Sequence, residues 1–81
     1  MTEKQFAKYA GKRIRVTWHQ FPYSVALNTC EGVLETNPYK VFSTKTKTEK
    51  TRIDFRVVSD DETISLHWNQ MKLIVKVEEI K

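Results

Sequence analysis

Cysteine occurs once in these 81 residues, and glycine and proline twice each. The lone thiol, Cys30, cannot form an internal disulfide, and small secreted domains usually depend on several. A reducing, cytoplasmic location is therefore expected. No apolar run reaches the roughly 18 residues of a membrane-spanning helix. The opening Met1-Thr2-Glu3-Lys4-Gln5 also lacks the apolar core of a secretion signal, so no membrane association is expected. Scarce Gly and Pro, with 40% hydrophobic and 30% charged residues, exclude collagen-like and disordered chains. A chain this short is expected to form one domain, residues 1–81, and to bury only about 60–65% of its unfolded surface. It leaves no room for a second core or a deep, layered active site.

What is present is positive charge, unevenly placed. Fourteen Lys and Arg stand against ten Asp and Glu. Residues 1–22 carry Lys4, Lys8, Lys12, Arg13 and Arg15 against Glu3. Residues 40–56 carry Lys40, Lys45, Lys47, Lys50, Arg52 and Arg56 against Glu49 and Asp54. The end of the chain is acidic, with Asp60, Asp61, Glu62, Glu78 and Glu79. If the two basic segments meet in space, they form a face able to follow phosphates.

Hydrophobic periodicity predicts a mainly β fold. Residues 2–10 form a short helix, with Thr2 and Gln5 at capping-box spacing and Phe6, Tyr9 and Ala10 on one side. Gly11 ends it. Ile14, Val16 and Trp18 alternate with Arg13, Arg15 and Thr17, the period of a half-buried strand. Residues 19–27 lose the period at Pro22 and make a long loop carrying Phe21 and Tyr23. Residues 29–36 form a second strand, with Gly32 at a bend. Asn37-Pro38 predicts a turn before a third strand at 40–47. Residues 43–51 hold no apolar side chain and make either a mobile loop or the arms of a hairpin. Ile53, Phe55 and Val57 point inward from the next strand, followed by Ile64, Leu66 and Trp68. A 3₁₀ turn is expected at 67–71 and a last strand at 73–77, with 78–81 fraying. Trp18, Phe55 and Trp68 fall in strand phase and are expected in the core, and Phe21, Tyr23 and Tyr39 in loops. Five to six antiparallel strands after one short helix predict a small barrel.

The stretch Tyr9-Ala10-Gly11-Lys12-Arg13-Ile14-Arg15-Val16-Thr17-Trp18, followed by Cys30-Glu31-Gly32-Val33-Leu34-Glu35, resembles the opening of an Sm-like barrel. The likeness spans residues 2–36 and implies a helix, then strands bent at Gly32, in an SH3-like or Sm-like fold. It also makes a homo-oligomer a possible assembly. The uridine-pocket pair of that family is replaced here by Asn37-Pro38, so its RNA-binding residues do not carry over.

No motif for catalysis or cofactor binding stands out. Cys30, His19 and His67 lack metal-ligand spacing, so no metal or cofactor is expected. Cys30 reads as a small core residue. Asp60-Asp61-Glu62 reads as a solvated turn, and no phosphate-cradling glycine loop exists. A non-enzymatic binding module is expected. Its first reading is RNA or DNA binding, with Arg13, Arg15, Lys45, Lys47, Lys50 and Arg52 on phosphates and Tyr23 and Tyr39 stacking on bases. Its alternative is a protein-interaction module or inhibitor, of the kind phages and mobile elements encode. That module would hold a host protein through Phe21 and Tyr23 or through the 43–51 hairpin.

Overall fold

The computed structural model describes residues 1–23 and 25–80. Ser24, in the expected loop, and Lys81, at the expected frayed end, lie outside the described residues. The elements are α1 (Glu3–Ala7), β1 (Arg13–His19), β2 (Leu27–Ser43), β3 (Thr48–Val58), β4 (Thr63–Leu66), a 3₁₀ turn (Trp68–Leu73) and β5 (Ile74–Glu79). All strand pairs are antiparallel, in one sheet of order β4-β3-β2-β1-β5. The sheet is open, with β4 and β5 at its edges. The four-residue β4 pairs with β3, and β5 pairs with β1.

Strand β2 organises the fold by serving two partners. Residues 27–33 pair with β1 and residues 33–43 with β3, so the partner changes at Val33. Gly32 sits just before that change. A Cβ there would overlap the Val58 carbonyl oxygen and stand 2.7 Å from its carbon. The absent side chain lets the end of β3 lie close against β2 where that strand changes partner.

The core lies on one face of the sheet. Phe6, Ile14, Val16, Cys30, Leu34, Phe55, Val57, Leu66 and Met71 are buried there. Phe6 brings α1 onto the sheet, its ring centroid 4.7 Å from that of Phe55 in a tilted pair. Five residues of helix are too few to persist alone. Here the Thr2–Gln5 capping box closes reciprocally and Gly11 takes φ +78 beyond the helix.

Four expectations are corrected. Strand β2 runs unbroken through Asn37 and Pro38 to Ser43, in place of the expected turn and separate third strand. Pro38 stands opposite Ile53, whose N–H donates outward to Glu3 Oε2 at 3.0 Å. In such an antiparallel pair the backbone N–H groups face away from each other. The N–H that Pro38 lacks therefore belongs to a free edge, beyond the reach of β1, where proline costs no ladder bond. Trp68 leaves the strand phase, enters the 3₁₀ turn and stays partly exposed, and Trp18 is only partly buried. The last strand extends to Glu79, and the Ile80 N–H still donates to the Arg13 carbonyl at 2.8 Å.

Candidate nucleic-acid interface

Beyond the three-strand overlap, β2 and β3 continue as a two-stranded ribbon. Register runs from Asn37 opposite Asp54 to Ser43 opposite Thr48, with a turn at residues 44–47. Thr and charged residues alternate here with little apolar bulk, so the segment extends without joining the core. Lys47 supplies the left-handed residue of the turn, with φ 52, and the Thr46 and Thr48 hydroxyls lie 2.7 Å apart. Residues 43–51 are thus the end of an ordered hairpin.

Charge collects on this ribbon. Residues 38–53 contain Lys40, Lys45, Lys47, Lys50 and Arg52 against Glu49 alone. Lys40 reaches Glu49 at 3.9 Å, the outer limit of an ion pair. Lys45, Lys47 and Lys50 are exposed and form no ion pair among the described residues.

Arg52 has a different position. It donates to Glu3 Oε1 at 3.0 Å, and its guanidinium carbon sits 4.0 Å over the Trp68 ring centroid. Glu3 spans the guanidinium and the Ile53 N–H, so one carboxylate ties α1 to the outer edge of β3. Tyr39 lies opposite Arg52 on β2, in a strand rather than a loop, and its hydroxyl donates to Asp54 Oδ1 at 3.2 Å. Removal from water, followed by the Asp54 contact, pushes the Tyr39 phenol above its ordinary range. Asp54 also lies 3.3 Å from His67 Nδ1. These contacts brace the base of the ribbon and occupy two side chains that the sequence offers to nucleic acid.

The cations at and just before β1 lie elsewhere, and two of them, Lys12 and Arg15, are paired with carboxylates. Arg15 donates to Glu31 Oε2 through Nε at 3.3 Å and Nη2 at 3.1 Å, and its partner in β5 is Glu78. Lys12 reaches Glu79 at 3.1 Å. Arg13 is exposed on the same strand. The two basic segments therefore do not merge into one face: β1 packs beside the acidic β5, and the ribbon tip projects away from both. Tyr23 is fully exposed and Phe21 61% exposed in the loop preceding β2, at the opposite end of that strand from the ribbon tip. Phe42, 59% exposed on the ribbon, falls within the third strand expected at 40–47, where the sequence carries no signal that its ring faces water.

A cleft of about 700 Å³ lies beside the ribbon base, with Asp54, Ser65 and His67 in its wall. No hydrogen bond joins Ser65 to His67 among the described residues, so the carboxylate–imidazole pair is not extended to a nucleophile.

The chain matches no known family. Comparison with curated proteins and with solved structures likewise yields no significant match.

Proposed function

We propose that the protein is a non-enzymatic module that binds nucleic acid through the tip of the β2–β3 ribbon. The observation that carries this reading is the group of exposed, unpaired lysines, Lys45, Lys47 and Lys50, on an arm whose other cations are paired. Such charges attract phosphates from any direction and release counterions on contact. In this reading the bent sheet acts as the wall of a small SH3-like barrel, supported by the close packing of Gly32 on Val58. Fluorescence anisotropy with labelled DNA and RNA at several salt concentrations tests it. If Lys40, Lys45, Lys47 and Lys50 each neutralise one phosphate, log K falls against log salt with a slope of about −3 to −4. Alanine at Lys45, Lys47 and Lys50 together should flatten most of that slope and leave melting unchanged. An affinity indifferent to salt would overturn the reading.

A second reading rests on a separate observation. Phe21, Tyr23, Val25 and Leu27 expose 61%, 100%, 95% and 53% of their surface. Rings and aliphatic side chains this open suit a protein partner. Retention of one protein by the wild type after nuclease treatment, lost in Phe21→Ser with Tyr23→Ser, would favour it.

A further inference from the structure

The two faces of the ribbon differ. Strand alternation puts Tyr39, Val41, Lys50 and Arg52 on one face, over which Trp68 packs, leaving a small hollow of about 290 Å³. Lys40, Phe42, Glu49 and Thr51 share the other face, all exposed. On that open face Phe42 is the one large apolar side chain, and Glu49 is its cross-strand partner. The lysines of the turn lie just beyond it.

We infer that the ligand is double-stranded DNA, that the ribbon lies in its major groove, and that Phe42 meets thymine methyl groups there. This deepens the nucleic-acid reading and rests on it. Two strands about 4.8 Å apart, with side chains, match a groove about 12 Å wide that admits a two-stranded ribbon. The six residues Pro38–Ser43 give an arm of roughly 20 Å, enough to lie along the groove while Lys40, Lys45 and Lys47 meet phosphates on its rims. Single strands are usually held on several rings in succession, and this face has one. In duplex RNA the major groove is too deep and narrow for side chains. The thymine methyl is the apolar feature of the major groove, and phenylalanine is among the side chains that contact it.

The test is anisotropy with four probes: a thymine-containing duplex, the same duplex with deoxyuridine for thymine, a single strand, and duplex RNA. The wild type should prefer the thymine duplex, by about fourfold over deoxyuridine for each methyl buried. Phe42→Ala should erase the thymine preference while keeping the salt slope, and this exposed position leaves the core untouched. Lys45→Ala with Lys47→Ala should keep the thymine preference and lower the slope by about two. Glu49→Gln should tighten binding, since it removes a negative charge beside the ribbon axis. Equal affinity of the wild type for thymine and deoxyuridine duplexes, or tighter binding of the single strand, would overturn this inference and leave nucleic-acid binding standing. No binding of any probe at low salt would overturn both.

Discussion

Arg52 and Lys45 are both cations of one basic segment, yet they do different work. Arg52 is held between Glu3 and Trp68, and Lys45 faces water at the turn. Arg52→Ala should therefore act on stability, by about 1–2 kcal/mol from the lost stacking and ion pair. That is a melting decrease of roughly 5–15 °C for a domain this small. Lys45→Ala should leave melting unchanged and weaken DNA binding, which calorimetry and titration on the same two variants would separate. Gly32 is as sensitive for the opposite reason, since any side chain there meets the Val58 backbone. Gly32→Val should cost about 1–3 kcal/mol or more, and wild-type melting in that variant would rule out the close approach. The pH response follows from Cys30 and Tyr39. Burial, then the charge of Glu62, pushes the Cys30 thiol up, and Tyr39 is raised as described. The folded state thus keeps protons that the unfolded chain releases, so raising the pH favours unfolding. The stabilisation is complete below about pH 8.5 and declines through the ordinary Cys and Tyr range toward and beyond about pH 10. Urea midpoints measured from pH 7 to 11 should be level at first and then fall, and Cys30→Val should delay the start of that fall.

At the scale of elements, strands with a buried face were legible and the ribbon was only half so. Ile14 and Val16, and likewise Phe55 and Val57, alternate because one side meets the core, and that alternation is visible in the sequence. Thr2, Gln5 and Gly11 announced the helix and its end because capping is local chemistry. Asn37-Pro38 misled because a proline's effect depends on which edge its nitrogen faces, and that is set by the register of β2 against β3, a pairing between distant residues. Trp68 misled because its partner, Arg52, comes from another element. The candidate site was legible as charge, through Lys45, Lys47 and Lys50, whereas the separation of Arg13 and Arg15 from them depends on the partner switch of β2. The ribbon is also separable from the core. Replacing residues 40–51 with a two-residue Asn-Gly turn, closed on the pair Tyr39 and Arg52, should preserve folding, monitored by near-ultraviolet circular dichroism, and abolish the proposed DNA binding.

At the scale of the whole molecule, β2 carries the lysine-tipped ribbon at one end and the apolar loop of Phe21 and Tyr23 at the other. The two surfaces lie at opposite ends of one strand, so the proposed DNA ligand on one would leave the other free. The strand pairings also differ in how far along the chain they reach. Ser43 meets Thr48 across a short turn, while Ile14 meets Glu79 across most of the sequence. Local hairpins close within microseconds, whereas distant segments must first pay the entropy of a large loop. The β2–β3 hairpin is therefore expected early in folding, and the β1–β5 pairing late. Val57→Ala should slow refolding, and Val77→Ala should mainly speed unfolding, as stopped-flow chevrons would show. The arm proposed to meet the ligand would then be shaped before the sheet that carries it is complete.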